Sequence, residues 1–109
     1  MAFNQNIFAT IASGGTVTSP FQVARVGDIS IYAPVVTSGS VFLKGGFQNV
    51  TSTCVRVWKE DGSAAFSWPL GAGSAALTVS GLLGGFEYAA IETSAAQTDT
   101  RTFVVAVRV

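Results

Sequence analysis

Glu60 and Asp61 stand side by side in "KEDGS", the one place in the chain where two carboxylates adjoin. A carboxylate pair does acid–base work when burial or crowding forces one member to keep its proton. These two sit in a polar stretch with a glycine, a turn composition that reaches water, so both are expected to stay ionised. Asp28, Glu87, Glu92 and Asp99 are scattered and show no calcium-loop spacing. The chain has no histidine, which removes the usual general base near neutral pH, the usual nitrogen ligand for metals and every histidine-based triad. Cys54 is the single cysteine; it has no intrachain disulfide partner, and "TCVRVW" reads as a strand holding it as a small hydrophobe. The glycines of "SGGTV" and "GLLGG" open neither a lysine-bearing phosphate loop nor a helix, and read as turns. "NVT" at Asn49 matches the glycosylation triplet by coincidence, since no secretion signal accompanies it. The expectation is a protein without catalytic residues, cofactor or metal.

Binding chemistry rests on the aromatics. Trp58, with Tyr32 or Tyr88, could stack a sugar ring, anchor a subunit interface beside Arg56, or pack within the domain. Sugar sites need hydrogen-bonding side chains close to the ring, whereas Ala, Ser, Thr and Gly surround these aromatics, which favours an interface over a glycan.

The elements that position them are strands. Clusters of Gly, Ser, Thr and Asn recur between short runs of Val, Ile, Phe, Tyr and Thr, the punctuation of a sandwich or barrel. Extended segments are predicted at 7–12, 21–24, 28–33, 40–44, 54–59, 64–68, 75–79, 87–92 and 102–109. The stretch "FEYAAIETSAAQTD" lacks Gly and Pro, but its apolar positions form no helical stripe, so a strand through Tyr88 and Ile91 and a loop from Ser94 are expected. Alternation puts Ile29, Ile31 and Ala33 inward and Tyr32 outward. "VRVWKEDGSAAFSW" reads as a hairpin. Pairing Lys59 with Ala64 would set Val55, Val57, Phe66 and Trp68 on the core face and Arg56 and Trp58 on the other.

In "TRTFVVAVRV" both faces are apolar through the middle, so the last strand is expected inside a sheet or at a covered seam, with Arg108 as the position to check for a neighbour. Ahead of the first firm strand, Phe3, Ile7 and Phe8 suggest an arm packing on a neighbour. The expected organisation is an arm or first strand over 1–12 and one antiparallel β-sandwich over 13–109, jelly-roll-like or Ig-like, with about eight short strands in an all-β fold.

Composition limits partners. Only 11% of the residues are charged and the formal net charge is zero, leaving no footprint for a phosphate backbone and little charge to keep the chain monomeric. The N-terminus lacks the basic and apolar regions of a signal peptide, and no apolar run is long enough to span a bilayer, so neither membrane nor nucleic acid is an expected partner.

The order "IASGGTVTSPFQV", "DISIYAP", an "EDGS" turn and "FEYAAIETSAAQTDTRTFVVAVR" resembles small structural proteins of tailed bacteriophages. The resemblance is carried by Ser13, Gly14, Thr16 and Ser19; by Ile29, Ile31 and Pro34; by Asp61 and Gly62; and by Ala96, Gln97, Asp99, Arg101, Thr102 and Phe103. Family members place a "DGG" turn after the middle strand where this chain has "KGGFQNVTST". The resemblance implies a virion component made in the host cytoplasm, a decoration or minor capsid protein on the capsid surface. Its implied partners are the major capsid protein and copies of itself, with a homotrimer favoured. A tail, collar or fibre-associated protein, or a carbohydrate-binding or adhesion module, is the alternative. The candidate interface residues are Phe3, Ile7, Phe8, Tyr32, Arg56, Trp58 and Arg108.

Overall fold

Period-two alternation in Val, Ile and Phe builds strands throughout the computed structural model, which describes residues 4–23, 28–34, 40–57, 65, 67–69, 75–78 and 86–108. The strands are β1 (Asn4–Ile11), β2 (Phe21–Gln22), β3 (Asp28–Ala33), β4 (Ser40–Gly46), β5 (Val55–Arg56), β6 (Ser67–Pro69), β7 (Ala75–Thr78), β8 (Tyr88–Thr93) and β9 (Arg101–Arg108). A 3-10 turn at Thr51–Thr53 is the one helical element among the described residues.

A first sheet has the order β1-β9-β3-β7, and a second runs β2-β8-β4-β5, with β6 also on β4. All pairings are antiparallel. β5 and β6 occupy successive parts of one edge of β4, at Lys44–Gly45 and Ser40–Phe42 respectively. Counted as one interrupted strand, they give a two-sheet order in which every link except β4 to β5 crosses between sheets. That is a jelly roll rather than an Ig-like sandwich. The Cα radius of gyration, 13.0 Å, is what one compact domain of this length should have.

One buried cluster fills the space between the sheets. From the first sheet come Ala9, Ile11, Ile29, Ile31, Ala33, Phe103, Val105 and Val107; from the second and its flanks come Phe21, Val23, Val41, Leu43, Val57, Ala89 and Ile91. β9 has neighbours on both sides, as its doubly apolar sequence predicts. Its Phe103, Val105 and Val107 are essentially sealed from water, and truncating a buried Phe such as Phe103 costs about 3–5 kcal/mol.

Two expectations are corrected. Residues 4–8 are no free arm: each pairs with β9, from Asn4 with Arg108 to Phe8 with Val104. A central strand as apolar as β9 needs both flanks covered, and β1 supplies one. Ile7 accordingly packs, half-buried, against the core.

The predicted hairpin register also fails. Val55 pairs with Gly45 and Trp68 with Val41, so both segments run antiparallel to β4 and in the same direction as each other. The backbone edge of β4, uninterrupted from Ser40 to Gly46, takes both segments in place of their pairing with one another. Val57 does reach the core opposite Leu43, its amide donating to the Leu43 carbonyl at 2.9 Å. Val55 remains 62% exposed, and the Phe86 ring, not Val55, lies against its pairing partner Gly45. The expectations for residues 58–64 and Phe66 fall outside the described residues.

Candidate interaction surface

Backbone register runs across all four strands of the first sheet. Phe8 pairs with Val104, Val104 with Tyr32, and Tyr32 with Ala76. Phe8 is 68% and Tyr32 61% exposed, with Val104 half-buried between them. Neighbouring rows are small and uncharged: Thr10 beside Thr102, their hydroxyls 3.2 Å apart, and Asn6, Ala106 and Ser30 in register on the other side. Two exposed aromatic rings therefore stand in one row, between rows of small uncharged residues.

Sequence reasoning named Phe8, Tyr32 and Arg108 separately, and the register brings the first two into one row. Arg108 pairs with both Asn4 and Asp28 at the end of the same sheet. Phe3 and Trp58 lie outside the described residues.

Arg56 belongs to the other sheet and is already engaged. Its Nε donates to Glu92 Oε1 at 2.7 Å and its guanidinium lies 3.8 Å from the Phe42 ring centroid. Lys44 Nζ approaches Glu92 Oε2 at 3.8 Å. The pairs Phe42–Glu92 and Lys44–Arg56 put all four side chains on the outer face of the second sheet. Partly buried ion pairs of this kind, on the outer face of a sheet, contribute up to about 1 kcal/mol, so the cluster ties strands together and presents no unpaired charge to a ligand.

A third feature escaped the sequence. Phe47, Val50 and Val55 are exposed at the β4–β5 end of the sandwich, and Phe47 tilts against Phe86 with ring centroids 5.6 Å apart. "GGFQNV" reads as a break, and only its Phe and Val, unusual in a turn, signal the patch.

Two of the segments that carry the bacteriophage resemblance, 13–16 and 96–99, meet at one corner. Ser13 Oγ donates to the Thr98 carbonyl at 3.0 Å, Gly14 N to the Gln97 carbonyl at 2.7 Å, and Gln97 N to the Gly15 carbonyl at 3.0 Å. Thr93 N donates to the Thr16 carbonyl, and Thr18 exchanges bonds with Ile91. These bonds join segment 13–18 to β8 and to the loop that follows it, a structural role.

Cys54 is buried, its Sγ donating to the Val50 carbonyl at 3.8 Å. Desolvation raises its pKa above the ordinary 9.0 against a smaller opposing pull from Lys44, so at neutral pH it is a thiol, not a nucleophilic thiolate. Among the described residues, no three Asp, Glu or Cys side chains cluster as metal ligands, no buried side-chain N or O lacks a hydrogen-bond partner, and no helix is long and apolar enough to cross a membrane. An open cleft of about 210 Å³ lies between residues 7–10 of β1 and 19–21 ahead of β2.

No protein-family model and no curated protein matches the chain. Among solved structures it is similar to the SPBc2 prophage-derived protein YomS, with a TM-score of 0.64 at 12% identity, covering 100% of this chain and 96% of that one. It is less similar to the Yersinia pseudotuberculosis-derived mitogen, with a TM-score of 0.42 at 11% identity over 98% of this chain and 86% of that one. The likeness to YomS supports the two-sheet fold.

Proposed function

We propose that this chain is a structural protein of a bacteriophage virion, a decoration or minor capsid subunit that binds the head surface and other copies of itself. The observation that carries the reading is the row Phe8–Val104–Tyr32, flanked by the uncharged rows Thr10–Thr102 and Asn6–Ala106–Ser30. A monomer gains nothing from two large exposed rings in register between uncharged rows, whereas a lattice subunit seats them against a neighbour. The sequence resemblance and the prophage origin of a protein sharing the fold support the same reading.

The work done is binding. A standard contact buries about 800 Å² per partner, and repetition over a shell turns modest single contacts into high avidity. Ser, Thr and Asn around the aromatic row supply hydrogen bonds at the seam without charge to desolvate. A glycan platform at Tyr32 is the weaker reading, because its register neighbours are Val104 and Ala76, neither of which can hydrogen-bond a sugar through its side chain.

The test is mass spectrometry and immunogold microscopy of particles from the phage or prophage whose genome carries the chain, followed by rebinding of purified protein to heads lacking it. Native protein should decorate heads, and Phe8→Ser with Tyr32→Ser should lower occupancy at least tenfold while remaining folded. Absence from the particle overturns the proposal, and label on tails alone replaces it with the tail or fibre alternative.

A further inference from the structure

We infer that two copies of this chain pair through their β1 edges, across a twofold axis normal to the first sheet, to make one continuous β-sheet. The inference deepens the proposed function by naming the self-contact, and rests on the reading that the chain works in assemblies.

The four edges of the sandwich are treated unequally. β2 and β5 are each two residues long, with both ends among the described residues. Brevity is one way that proteins blunt a sheet edge, and charge or proline is another. β5 also carries Arg56, and β6 ends on Pro69. β1 has none of these defences. It runs for eight residues as "NQNIFATI", without charge, proline or glycine. Its unbroken one-to-one register with β9 leaves no bulge to twist the edge away. At its far side lies the open cleft against residues 19–21.

The sequence of β1 suits its own copy. A twofold normal to the sheet makes the strands antiparallel and keeps outward residues opposite outward residues. The register that centres on Phe8 sets Phe8 against Phe8 of the second copy, Ile7 against Ala9, and Asn6 against Thr10. Each pair matches aromatic with aromatic, large apolar with small apolar, or polar with polar. Shifting by two residues either way opposes Phe8 to Asn6 or to Thr10 and loses the match. In the centred register the outward row Tyr32–Val104–Phe8 continues into the second copy as an unbroken apolar band. Self-pairing also brings no like charges together, since β1 is neutral and the whole chain has zero net charge.

Cysteine scanning in a Cys54→Ser background tests the pairing. Residues directly opposite in antiparallel strands have Cα atoms about 4.5–5.5 Å apart, within disulfide reach. Phe8→Cys should oxidise to a disulfide-linked dimer at least tenfold faster than Tyr32→Cys, whose strand lies two positions in from the edge. Light scattering of the native protein should show a mass rising with concentration toward twice 11.2 kDa, and Phe8→Lys should hold it at the monomer. A native mass that stays monomeric, or faster cross-linking at Tyr32 than at Phe8, overturns the edge pairing. Either outcome is distinguishable from failure of the virion reading, because decoration of heads by monomers would survive it.

Discussion

The Gln97 carbonyl accepts a hydrogen bond from the Gly14 amide at 2.7 Å, fastening the loop after β1 to the loop before β9. Gly14 adopts φ +84°, a left-handed conformation that costs side-chain-bearing residues about 1 kcal/mol or more. The Gly15 amide donates to the Ala12 carbonyl to close the turn. Gln97 is 1% exposed. Its side-chain Nε2 donates to Thr93 Oγ1 and the Ala95 carbonyl, and its Oε1 accepts from Arg101 Nε. The corner therefore couples the loop conformations directly to the entrance of the central strand.

Gln97→Leu keeps the volume and removes the amide. Losing the bonds that this 1%-exposed amide makes to Thr93, Ala95 and Arg101 should cost about 2 kcal/mol, a drop in melting temperature of roughly 10 °C for a domain of this size. Ser13→Ala, which removes one exposed bond to the Thr98 carbonyl, should cost about 0.5 kcal/mol. Thermal melts by circular dichroism check both, and equal melting temperatures would mean that Gln97 is not the lock of the corner.

Gly45 is required for a different reason. A Cβ at that position would fall 2.6 Å from the Phe86 ring, which is itself held against Phe47. Gly45→Ala should destabilise by about 1–3 kcal/mol through overpacking. Phe86→Leu combined with it should recover part of the loss, since the clash is with the ring and not with backbone. Denaturant unfolding of the single and double variants gives the coupling. Strict additivity would remove the clash as the cause.

Most of the strand framework was legible in the sequence, and the failures have identifiable causes. β3 and β7 were legible because Gly, Ser or Pro punctuates their surroundings and alternation runs cleanly between. β9 was legible as a central strand because Val104 and Ala106 make its second face as apolar as the one bearing Phe103. The Val55–Trp68 register was not: a Gly-containing turn between two apolar runs looks local, and nothing in the two runs reveals that β4 offers both a longer edge. The pairing of Phe8 with Val104 and Tyr32 was equally hidden. It depends on contacts between residues almost the whole chain apart, which alternation orients but cannot align. Glu92 looked like an isolated carboxylate because its partners Arg56 and Lys44 come from other strands.

That ion cluster should be worth little in salt. Glu92→Gln removes the carboxylate shared by Arg56 and Lys44 and should cost about 1 kcal/mol at low ionic strength, shrinking as salt screens the partly buried pairs. Arg56→Met should lose the ion pair and the cation–π contact with Phe42 while keeping some aliphatic packing, at a cost of about 1 kcal/mol. Urea denaturation at low and high sodium chloride separates the effects. A cost for Glu92→Gln that does not change with salt would show that a shape effect, not charge, dominates there.

Cys54 predicts an alkaline weakness. Burial raises its folded-state pKa above the 9.0 of an ordinary thiol, with Lys44 opposing less strongly. Between those two values the unfolded chain has lost the thiol proton while the native chain keeps it, so the native state binds more protons and stability falls as pH rises. The contribution is fully present below pH 9.0 and is lost on passing upward through the folded value. Cys54→Ala, which removes the titrating group from both states, should show a shallower decline above that pH than the native protein. Its own stability near neutrality should be lower by about 1 kcal/mol from the lost buried sulfur. Alkylation gives an independent check: the native thiol should react with iodoacetamide at least tenfold more slowly than the urea-unfolded chain at the same pH. Parallel alkaline limbs for the two proteins, together with rapid native alkylation, would mean that Cys54 is not buried as a neutral thiol.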